Sequence, residues 1–172
     1  MYAEVDDRIE DIRLKFKPDK VRFLLVGESA PVAGTFFYTG DSFCKYTQIA
    51  FANVLPKVRA KTWQEFLIFF QQSGFYLDDL CLVPVNGMDK ASRQQNLINS
   101  IPSLALRIEK YAPSNVIVLL KGIEKYVLRA VNLSGVKANI YTVPFGGMGH
   151  QNKYIDEMST IISALIKPKD HA

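Results

Sequence analysis

Cysteine, histidine and long apolar runs are all scarce in this chain, and each shortage argues against a class of function. The two cysteines, Cys44 and Cys81, lie far apart and form no CxxC pair. Neither a disulfide framework nor a zinc knuckle is suggested, and a reduced compartment is the simplest expectation. With only two histidines, His150 and His171, a histidine-built metal centre is not expected, and no cofactor is implied. Apolar runs such as Val116 to Leu120 are far too short to cross a bilayer. Asp and Glu come early, and no signal-peptide core precedes them. A cytoplasmic protein with no membrane partner and no obligate protein partner is therefore expected. No repeat, low-complexity stretch or linker divides the sequence, which predicts one domain over residues 1–172.

What is present is ordinary for a globular chain: 48% hydrophobic, 22% charged and 12% aromatic residues. The formal net charge of +4 is compatible with a polyanionic partner without requiring one. Val5, Ile9, Ile12 and Phe16 recur at helical spacing, so a helix is expected over 3–16, broken by Pro18-Asp19. The apolar run 21–26 ending at Gly27 reads as a buried strand. An irregular loop, 27–42, leads to a helix over 43–54. Thr62 and Glu65 form a capping box for the next helix, which stops at Ser73-Gly74.

Further strands are expected near 77–83, 116–120 and 138–143. Between them fall a long helix over 92–111, kinked at Pro102, and another over 122–131; a closing helix covers 152–166. Alternating strands and helices predict an α/β fold, a three-layer αβα arrangement around a central four-stranded parallel sheet. Ligands of such sheets bind beyond the carboxyl ends of the strands, where the strand order switches. The loops of unusual composition all follow strands, so the expected site and the unusual sequence coincide.

The first of these loops, Gly27-Glu28-Ser29-Ala30-Pro31-Val32-Ala33-Gly34-Thr35-Phe36-Phe37-Tyr38-Thr39-Gly40, combines glycines with three consecutive aromatics. Two readings of the rings stand side by side: core plugs beneath the loop, or a ring that stacks on a planar ligand. A strand followed by Gly-Glu-Ser-Ala-Pro and then Gly-Thr-Phe-Phe-Tyr-Thr-Gly resembles the first motif of the uracil-DNA glycosylase superfamily. The resemblance runs in order from about Val21 to Leu165. It implies a uracil-DNA glycosylase-like fold and a DNA partner, single- or double-stranded. The implied activity is hydrolysis of the N-glycosidic bond of a deaminated or damaged base.

By that resemblance Gly27 and Glu28 line the pocket floor, and Glu28 holds or activates water. Ser29 lies beside them against the substrate, Phe37 matches the ring that stacks on the flipped base, and Asp79 falls near the base-reading Asn. The loop Val143 to His150, with Gly146, Gly147 and Met148, would enter the minor groove. Lys121, which directly follows the third strand, Arg93 and Lys153 are candidate phosphate contacts. Solvated helix faces explain basic residues of this kind equally well.

The sequence also departs from the family. Pro144-Phe145-Gly146-Gly147-Met148-Gly149-His150 contains no His-Pro-Ser, so His150 is the candidate to stabilise the leaving base from a different position. Asp79 replaces an amide with a group that only accepts hydrogen bonds when ionised. Two cysteines cannot hold the four-cysteine iron–sulfur cluster of the branch with the most similar motif.

Each candidate has a plainer reading. Glu28 can simply accept loop amides, His150 can be a residue at a helix start, and Asn86-Gly87-Met88-Asp89 can be a turn. His171 is expected to be disordered. Two other functions stay open: a non-catalytic binder of nucleic acid or nucleotides, and a small hydrolase using Ser29 with His150. The second would need those two side chains within hydrogen-bond reach.

Overall fold

Short polar side chains start four of the helices by accepting backbone N–H groups that the first turn leaves free. The computed structural model describes residues 4–32 and 35–166. In it Asp6 caps α1 (Asp7–Lys15), Asp41 caps α2 (Ser42–Val54), Thr62 caps α3 (Trp63–Gln72) and Asp89 caps α4 (Lys90–Asn99). The Thr62–Glu65 capping box forms as the sequence predicts, with hydrogen bonds of 2.8 and 3.2 Å. The long helix expected over 92–111 is instead two. Ser100 separates α4 from α5 (Ile101–Tyr111), and Pro102 stands in the first turn of α5, where its missing N–H costs no helical bond. α6 (Glu124–Ser134) and α7 (Gln151–Leu165) are the remaining α-helices among the described residues. Gly34 and His171 lie outside the described residues.

The strands are β1 (Phe23–Ser29), β2 (Phe75–Cys81), β3 (Asn115–Val118) and β4 (Asn139–Thr142). They form one sheet in the order β2-β1-β3-β4, every neighbouring pair parallel. β1 does not stop at Gly27. Gly27 and Ser29 stay in register with Asp79 and Cys81, so Glu28 is held on a strand rather than a loop. α2 packs on α3 and α7, and α5 on α4 and α6, which sandwiches the sheet between helical layers. This is the α/β arrangement expected from the alternation of elements.

Leu24, Leu25 and Val26 on β1 and Val116, Ile117 and Val118 on β3 are fully buried, as central parallel strands require. Phe51 and Phe70 pack on Phe75 with ring centroids 4.9 and 5.3 Å away. Among the described residues no helix is long and apolar enough to cross a membrane.

β2 is an edge strand, and side chains take several of its backbone groups around Leu77 to Leu80. The Tyr38 hydroxyl donates to the Leu77 carbonyl at 3.0 Å and accepts the Leu77 N–H at 2.7 Å. Asp78 Oδ1 accepts the Asp79 N–H at 2.7 Å, and Arg107 donates to the carbonyls of Asp79 and Leu80. Side-chain bonds of this kind block strand addition along the middle of the edge.

Candidate functional site

The chain leaves β1 for β2 on one side and returns to β3 on the other. The connections after β1 and β3 therefore part and leave a crevice beyond the carboxyl ends of the strands. A cavity of about 600 Å³ lies there. Gly27, Glu28 and Ser29 of β1, Leu77 and Asp79 of β2, and Leu119 and Leu120 after β3 line it. Phe36, Phe37, Phe43 and Phe145 add aromatic surface, and Met148 borders it from the glycine-rich loop.

Three acidic residues, Glu28, Asp41 and Asp79, line this apolar space, and Glu28 and Asp79 each meet an arginine. Glu28 forms an ion pair with Arg93 of α4, which also lines the cavity. Asp79 Oδ2 accepts from Arg13 Nη2 at 2.8 Å. Arg13 is itself buried, and it also donates to the Leu77 carbonyl and lies 3.8 Å from Asp78. Arg107 Nη1 sits 2.5 Å from Asp78 Oδ2 on the far side. Two arginines thus stand against two adjacent aspartates on one strand.

Burial pushes the Asp79 carboxyl above its ordinary range, and the Arg13 charge pulls it back only in part. Burial alone would lower the Arg13 pKa, but the charges of Asp79, Asp78 and Glu10 outweigh it, and the guanidinium stays protonated. Asp41, at the mouth of α2, is also raised by burial while it accepts the Cys44 N–H at 2.8 Å.

Seven of the residues singled out in the sequence come together here: Gly27, Glu28, Ser29, Phe37, Asp79, Arg93 and Met148. The aromatic loop satisfies both of its readings. Phe36, Phe37 and Tyr38 are buried core side chains, with Phe37 5.2 Å from Phe70, while Phe36 and Phe37 also form cavity wall.

Five others are elsewhere. His150 is the exposed N-cap residue of α7, with no side-chain capping bond, and it does not line the cavity. The Ser29 hydroxyl accepts the Val85 N–H at 3.4 Å and makes no hydrogen bond to His150, so no Ser–His pair forms. Gly146 is buried, and a side chain there would strike Phe43 and Tyr154. Gly147 is fitted against the Phe145 ring. Lys121 and Lys153 are exposed, the latter 4.0 Å from Glu157.

Sequence reasoning missed Arg13, Phe43, Asn86 and Phe145. Asn86 had a visible signal, since the turn it opens follows β2 at the same end of the sheet. Arg13 had none, because an arginine on an amphipathic helix ordinarily faces water. Among the described residues no cluster of His, Cys, Asp or Glu could hold a metal ion. Compared with known proteins, the chain matches no family model and no curated protein.

Proposed function

We propose that this chain is a uracil-DNA glycosylase-like protein that takes a base extruded from DNA into the cavity and hydrolyses its N-glycosidic bond. The observation that carries this reading is one aromatic-walled cavity, at the switch point of the sheet, into which Glu28 and Asp79 both project. A volume of about 600 Å³ holds a base with part of its sugar. Extruding a base costs a few kcal/mol, and stacking on an aromatic wall returns about 1–3 kcal/mol.

In this reading Glu28 orients a water molecule towards the anomeric carbon and accepts its proton. The water oxygen bonds to that carbon as the carbon–nitrogen bond breaks, and the bond pair leaves with the base. A carboxylate beside the sugar also stabilises the positive charge that develops there. Met148, 93% exposed and at positive φ, stands at the mouth of the cavity where a displaced duplex would lie. Exposed Lys121 and Lys153 supply charge for phosphates.

A second reading, a binder of nucleic acid or nucleotides without catalysis, is favoured by two specific observations. Glu28 is engaged by Arg93, and His150 lies off the cavity. Single- and double-stranded oligonucleotides carrying uracil, hypoxanthine, xanthine or an undamaged control, followed by alkaline cleavage, separate the two. Base release by the wild type that Glu28→Gln abolishes is the expected result. Salt-sensitive DNA binding without release on any substrate would replace the enzyme by the binder.

A further inference from the structure

A polar atom that enters a cavity without a partner indicates what the ligand must supply. The Asp79 side chain is nine-tenths buried, with 10% relative exposure. Its Oδ2 is fixed by Arg13. No described residue donates to its Oδ1, and Asp79 and Gly27, over which that oxygen lies, both line the cavity. Oδ1 lies over Gly27, so close that a Cβ at that position would be 2.3 Å away. The backbone of β1 and the guanidinium of Arg13 together hold one acceptor in a fixed place on the cavity floor.

We propose that Asp79 Oδ1 selects the ligand, and that the cavity takes a base whose pairing edge presents adjacent N–H donors, as guanine and its damaged derivatives do, in preference to uracil. The inference rests on reading the cavity as a base site. The Arg13 guanidinium at Oδ2 favours the ionised carboxylate, which accepts hydrogen bonds and donates none. Guanine offers it a ring N–H beside an exocyclic amine. Adenine and cytosine offer one amine next to a ring nitrogen whose lone pair repels the carboxylate. Uracil offers one N–H between two carbonyls, and both carbonyls face the acceptor unfavourably. Arg13, by occupying Oδ2, keeps the carboxylate from rotating to relieve that repulsion.

Titration calorimetry of the full chain with guanosine, adenosine, cytidine and uridine tests this. Guanosine should bind tightest, by about tenfold or more over uridine, the discrimination expected of a good paired contact. Asp79→Asn should reverse the order of guanosine and uridine, because an amide both donates and accepts. Gly27→Ala keeps the aspartate but displaces Oδ1. It should lower guanosine affinity about tenfold while uridine changes little, and it carries the test if Asp79→Asn does not fold. Equal binding of all four nucleosides, with both variants leaving the ratios unchanged, would overturn the selection by Asp79 while leaving a base site standing. Absence of binding by any nucleoside would overturn the base site and this inference with it.

Discussion

Gly27 and Asp79 are paired in register across β1 and β2, and the carboxylate of Asp79 fills the space that a side chain at Gly27 would need. The glycine is therefore required by a neighbour on another strand. Gly27 is not among the glycines at positive φ, so backbone freedom is not what this position uses. Close approach is.

Gly27→Ala should fold but lose stability, by about 1–3 kcal/mol, since the added methyl forces a packed group to shift. Urea denaturation measures the loss. Unchanged stability would mean that the Asp79 side chain moves freely, against its ion pair with Arg13.

Arg13→Met should be far more damaging than an ordinary surface substitution. It removes the cation that faces Asp79 and Asp78 and leaves buried carboxylate charge, a loss of about 3–5 kcal/mol. Thermal unfolding read by circular dichroism checks it. Asp79→Asn added to Arg13→Met should recover part of the loss, because the unpaired charge is then gone.

Tyr38→Phe removes one oxygen and leaves the Leu77 N–H of the edge strand unpaired, while the Leu77 carbonyl keeps its hydrogen bond from Arg13. A cost of about 1–3 kcal/mol follows from leaving the N–H unsatisfied. Hydrogen exchange should quicken at the amide of Leu77 before it does on β3. Light scattering on mild heating should rise as the edge opens.

The fold should weaken at alkaline pH. Burial, with Asp41 nearby, pushes the Cys44 thiol up to about 12, and burial likewise raises Tyr38, Tyr76 and Tyr154. An unfolded thiol ionises near about 8.5. Between those values the unfolded chain has released a thiol proton that the folded chain keeps, so stability falls as pH rises, by about 1.4 kcal/mol per pH unit. Each buried tyrosine adds a like slope above its ordinary value of about 10. Cys44→Ala should flatten the fall by about one group's share over that window. At pH 8 the folded thiol should also resist alkylation and react once urea unfolds the chain.

Much of the architecture was legible because it is written locally. The capping box Thr62–Glu65 and the apolar run into β1 are read within a few residues of one another, and both elements form where expected. Boundaries slipped where a partner strand intervened. Glu28 reads as loop after a glycine, but pairing with β2 extends β1 through Ser29. The break at Ser100 slipped for a local reason, since Pro102 fits a helix start as well as a kink.

The cavity was half legible. Gly27 and Glu28 stood out by composition and Phe37 and Asp79 by the family resemblance, whereas His150 stood out by ending a glycine-rich loop and is the N-cap residue of α7, off the cavity.

By itself the sequence determined the alternation of strands and helices, and with it the end of the sheet where the cavity opens, because side-chain periodicity and capping act over one or two turns of chain. Only the tertiary structure decided that Arg13 faces Asp79 and that Tyr38 closes the edge at Leu77. Those contacts join residues far apart in the chain, and charge and hydrogen bonding choose their partners after the sheet has formed. No local pattern distinguishes a buried arginine or tyrosine from one that faces water.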